Sequence, residues 1–98
     1  DDIAVGWDAF VEDSGQIRMA REQVDYGDAG SAQFRYAYKG GKPWVVERVQ
    51  QQVKTLIGWN EAGDLVLNEK GSGQTDEADI ARLKTRAESL YTQAAAKR

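Results

Sequence analysis

Ile3, Val5, Trp7, Ala9 and Val11 recur at every second position, with Asp8 and Glu12 among the residues between and after them. Period two marks a half-buried strand, because successive side chains leave opposite faces of a sheet. Glu12-Asp13-Ser14-Gly15 follows as a polar turn. Beyond it, Ile17 and Met19 continue one face while Ala20, Val24 and Tyr26 fall on the other. The pattern therefore predicts a hairpin over residues 3–24 with a bulge or a break near Arg21. After a Gly-bearing loop at 26–31, Phe34, Tyr36 and Tyr38 share one face of a predicted strand, opposite Gln33, Arg35 and Lys39. Gly40-Gly41 reads as a tight turn, and Pro43 suits the start of the next strand.

Residues 44–57 fit two periods. As strands they are rich in Val, and Val53, Thr55, Ile57 and Trp59 alternate. As a helix, Val45, Val46, Val49, Val53, Leu56 and Ile57 fall on one arc, with Pro43 in the first turn and Gly58 just past the end. A continuous meander favours strands, which then require a turn near Gln50-Gln51-Gln52 with no glycine to mark it. The next hairpin is plainer: Asn60 to Gly63 form its turn, and Leu65 and Leu67 are expected on the inner face. A short link at 70–74 leads to a helix expected over 75–97, capped by Thr75 or Asp76. Its apolar stripe is Ile80, Leu83, Ala87, Leu90, Tyr91 and Ala94, with Lys97 and Arg98 as closing cations.

The expected fold is thus α+β. One domain spans 1–98, with an antiparallel meander of five to six strands over 3–69, curved or partly barrelled. The amphipathic helix packs on one face. If 44–57 were helical, the class would stand with a second helix.

Composition narrows the chemistry more than it suggests any. The 98 residues carry 13 Lys+Arg against 16 Asp+Glu, a net charge of −3. There is no cysteine, so no disulfide, thiolate nucleophile or thiolate metal site, and no histidine, the commonest general base and metal ligand. No cofactor or metal is expected: Asp25–Asp28 and Asn60–Asp64 place oxygen donors near glycine but lack the calcium-loop spacing. Three of the four serines sit in Gly-bearing turns or links, outside any nucleophile motif. No apolar run is long enough for a membrane-spanning helix. The start at Asp1-Asp2-Ile3 without Met points to an exported chain, periplasmic or secreted, with a cytoplasmic chain or a domain excised from a larger one as other readings.

The expected function is a non-catalytic binding module that recognises a protein or glycan through an aromatic hairpin. Its candidate contacts are Tyr36, Tyr38, Lys39, Lys42 and Trp44. The same interleaving of aromatics and cations suits nucleic acid, but the net negative charge gives long-range attraction the wrong sign. A second reading is a small hydrolase or lyase with carboxylates near Asp8, Asp13 and Asp64. A third is a structural domain. A free sheet edge would let copies of the chain pair.

Overall fold

The structure, a computed structural model, describes residues 4–96. Six strands form one antiparallel sheet in sequence order: β1 (Ala4–Val11), β2 (Ile17–Asp25), β3 (Ser31–Lys39), β4 (Lys42–Gln50), β5 (Val53–Trp59) and β6 (Leu65–Lys70). The sheet does not close, so β1 and β6 are edges. The helix α1 (Glu77–Ala96) covers one face. Residues 44–57 are two strands joined by a turn at Gln51-Gln52, and the helical reading of them falls away. Ile3, Lys97 and Arg98, assigned roles from the sequence, lie outside the described residues.

The register explains which face each residue takes. Ala20, Tyr36, Val46 and Ile57 stand in line across β2 to β5, all buried beneath the helix. Leu83, Ala87, Leu90 and Ala94 descend onto them, as the three-four spacing requires. The irregularity in the first hairpin lies opposite Phe10 and Val11, between Ile17 and Met19, and not near Arg21. It turns Ile17 under the helix while leaving Met19 on the other face, so one bulge reconciles the two halves of the β2 pattern. Leu65 and Leu67 also depart from expectation. Leu67 pairs with Gly58 on the face away from the helix, and Leu65 is exposed.

Asp76 caps α1. Its carboxylate accepts the Asp79 N–H at 2.8 Å, and its carbonyl accepts the Ile80 N–H. The preceding link is fixed by Asn68, whose side chain bonds both the N–H and the carbonyl of Thr75.

Two hairpins turn on two residues each, and they solve the turn differently. Gly40 and Gly41 adopt φ of 61° and 81° between β3 and β4. Between β4 and β5, Gln51 and Gln52 hold φ of 52° and 65°. Both central residues of this turn type need positive φ, which Asn-Gly accepts far better than Gln-Gln. Replacing Gln51→Asn together with Gln52→Gly is expected to stabilise the fold by about 1–2 kcal/mol. Urea unfolding would show this as a higher midpoint at unchanged slope.

Candidate functional site

With one face roofed, the other is the available surface. Register places Phe10, Met19, Ala37, Val45, Gly58 and Leu67 in one row across all six strands of this open face. Below it runs a charged row in which Asp8 pairs with Arg21 at 2.9 Å, and Glu47 sits between Arg35 and Lys54. The hydrogen bond from Arg21 holds the Asp8 carboxyl below its ordinary range.

Beside Val45, near the start of β4, the strand bulges. Ala37 pairs with Val45 and Tyr38 with Pro43, leaving Trp44 as the extra residue. Its carbonyl lies so close to Gly58 that a Cβ there would stand 3.4 Å from it and 3.1 Å from Leu67 Cβ. A glycine at 58 therefore lets β4, β5 and β6 close beneath the indole. Trp44 remains 43% exposed, whereas Trp59 is packed under the helix and Trp7 is half-buried. The Lys39 ammonium lies 4.3 Å from the Trp44 ring centroid and 3.7 Å from Glu61. Together with Lys42, Pro43, Asn60, Val66 and the edge of the otherwise buried Trp59 they line a hollow of about 650 Å³ between the β3–β4 and β5–β6 turns.

Of the expected contacts, the structure brings Lys39, Lys42 and Trp44 together. Tyr36 and Tyr38 are corrected: they are 1% and 2% exposed and face the helix. Tyr38 donates its hydroxyl to the Ala87 carbonyl at 2.6 Å, and Tyr36 donates to Glu22 at 2.8 Å. Burial raises both phenol pKa values, and the Glu22 carboxylate adds to the rise at Tyr36. They are framework, not surface. Asn60, Glu61 and Val66 also line the hollow, and the sequence assigned none of them to a binding surface. Asn60 and Glu61 read as turn residues and Val66 as a strand residue, and only the pairing of β5 with β6 brings them beside Gly40.

The three carboxylates of the hydrolase reading are not brought together. Asp8 lies on the β1 edge and Asp64 in the turn after β5, four strand spacings or about 19 Å away across the sheet. Asp13 lies in the turn after β1, five residues and about 16 Å along the strand from Asp8. A carboxylate pair for glycoside chemistry needs roughly 5–10 Å. Among the described residues no three acidic side chains gather as a metal site would require. Among the described residues no helix is long and apolar enough to cross a membrane.

No protein-family model, no curated protein and no solved structure matches the chain.

Proposed function

We propose that the chain is a non-catalytic binding module that holds a protein or glycan partner at the Trp44 hollow. One observation carries this reading: an indole is kept at the surface by a strand bulge, with Lys39 and Lys42 beside it, although the fold has a core able to bury Trp59. Aromatic residues with a neighbouring cation, fixed on a rigid strand, are the usual anchors of recognition surfaces. The two ammonium groups outnumber the single Glu61 carboxylate in the lining, which favours a partner that carries carboxylates. The adjoining apolar row gives such a partner dry contact area beyond the hollow.

NMR titration of the labelled chain tests this with three probes: chitohexaose, an alginate hexamer and a Glu-rich peptide. At least one acidic probe is expected to shift the Trp44 indole N–H, Lys39, Lys42 and Asn60 together. Trp44→Ala should weaken that binding by about tenfold or more, the usual cost of losing a central aromatic anchor. Binding that shifts another surface, or that survives Trp44→Ala unchanged, would refute the site.

A further inference from the structure

A second hollow, of about 460 Å³, lies on the open face where β1, β2 and β3 run side by side. Register lines it with two rows that cross these strands: Gly6, Gln23 and Gln33 in one, Asp8, Arg21 and Arg35 in the other. Successive rows on one face stand about 7 Å apart. The floor between them is the backbone of Trp7, Glu22 and Phe34, whose side chains turn to the helix face, where Trp7 packs against the core. Gly6 leaves the groove open at its β1 end, since it has no side chain and a Cβ there would meet nothing within 4 Å.

The polar groups around this groove are only partly satisfied within the chain. Arg21 stands directly opposite Arg35, and like charges so placed repel unless something negative lies between them. The carboxylates of the sheet sit on the outer flanks of the pair. Asp8 accepts hydrogen bonds from Nε and Nη2 of Arg21, and among the described residues Nη1 makes none. The Phe10 ring lies 4.7 Å from the same guanidinium and helps to fix it. Arg35 has Glu47 at 3.8 Å, too far for a hydrogen bond, and Glu47 also faces Lys54 at 3.7 Å. Gln23 and Gln33 stand opposite each other, and among the described residues neither carboxamide makes a hydrogen bond.

We propose that this groove binds a sulfate or phosphate ester of a sugar. The ester bridges Arg21 and Arg35, and the Gln23 and Gln33 carboxamides take the ring hydroxyls. Three terminal oxygens can accept from both guanidiniums at once, whereas the two oxygens of a carboxylate match a single guanidinium fork. A carboxamide donates and accepts, as vicinal hydroxyls also do. No apolar side chain lines the groove to anchor a peptide, and the Phe10 ring beside it already carries Arg21 in place of a stacked base. The volume is enough for one sugar ring with its ester. The site does not rest on the reading of the Trp44 hollow: Arg35 and Lys39 are four residues, about 13 Å, apart along β3.

NMR titration of the labelled full chain with N-acetylglucosamine 6-sulfate and N-acetylglucosamine 6-phosphate tests this, and the two arms separate the sources of the oxyanion. At least one ester is expected to shift the Gln23 and Gln33 side-chain amides and the Arg21 and Arg35 Nε–H signals together. N-acetylglucosamine itself and glucuronate should bind about tenfold more weakly or worse. Arg35→Gln removes one guanidinium from an exposed position and should raise the ester Kd about tenfold or more. Gly6→Val leaves every charge in place but fills the open end. A β-branched residue suits a strand, so Tm should hold while the ester Kd rises about threefold or more. Neither ester shifting these signals at tens of millimolar overturns the proposal. So does glucuronate or a thymidine dinucleotide binding as tightly as the better ester, or an Arg35→Gln chain with unchanged affinity. Trp44→Ala should leave ester binding intact. Esters that bind the parent but not Trp44→Ala occupy the other hollow, which overturns this groove and leaves that reading standing.

Discussion

Arg86→Ala is expected to cost about 3–5 kcal/mol, the range seen when one partner of a buried ion pair is removed. The reason lies in its partner. Glu22 sits on the helix face of β2 with its side chain only 5% exposed. One oxygen accepts the Tyr36 hydroxyl, and the other accepts the Arg86 guanidinium, with Nε at 2.9 Å. Without Arg86 the carboxylate keeps a neutral donor and loses the charge that balances it. The converse change is milder. Arg86 is 36% exposed, so after Glu22→Gln it can turn towards water. The ranking Arg86→Ala worse than Glu22→Gln therefore separates a buried carboxylate from an ordinary surface pair, for which either change costs about 0–1 kcal/mol. A chain of this size loses about 4–8 °C in Tm per kcal/mol, so thermal unfolding resolves the difference. Replacing all three partners by apolar residues, Glu22→Met with Arg86→Met and Tyr36→Phe, should recover much of the loss. Nothing polar is then left unpaired. A single Arg86→Ala cost below about 1 kcal/mol would show that Glu22 reaches water.

This network also shows where the sequence stops being legible. Period two separates the two faces of a strand but does not say which face is roofed. Phe34, Tyr36 and Tyr38 were correctly grouped, yet grouping alone made them equally fit for a core and for a binding surface. The choice was made by Leu83, Ala87 and Leu90, some fifty residues on. Glu22 and Arg48 hid for a related reason. Each is a charged residue on a roofed face, where pattern reading expects an apolar one. Both are there because α1 supplies the counter-charge, Arg86 for Glu22 and Asp79 for Arg48 at 2.9 Å. At Asp79, burial alone would raise the carboxyl pKa. The hydrogen bonds and charges of Arg48 and Arg82 outweigh it and hold the group below its ordinary value. The turn at Gln51-Gln52 was placed correctly by continuity, but its glutamines concealed the positive φ that Gly40-Gly41 announced openly. Trp44 was legible as a surface residue because Pro43 and the glycine turn beside it leave little room for a covering element. Its hollow was not, since four of the nine lining residues come from the β5–β6 side.

Leu90→Ala should cost about 3 kcal/mol, within the range measured when a buried leucine is truncated. Leu90 has no exposed surface and stands among the largest fully buried side chains, together with Tyr36, Ile17 and Ile57. Removal leaves a cavity at the centre of the helix–sheet contact, where neither layer can collapse without moving its neighbours. The manner of unfolding is as informative as its size. Tyr36, Val46, Ile57 and Trp59 are buried only because α1 lies over them. A six-stranded meander stripped of that roof would expose its entire apolar face, so helix and sheet are expected to unfold as one unit. Helical ellipticity and the Trp59 emission shift, the latter read in a Trp7→Phe and Trp44→Phe background, should fall along a single curve in the parent and in Leu90→Ala. If the helix signal is lost at lower urea than the Trp59 signal, the sheet holds its core without the helix. The roof would then contribute far less than its buried residues imply.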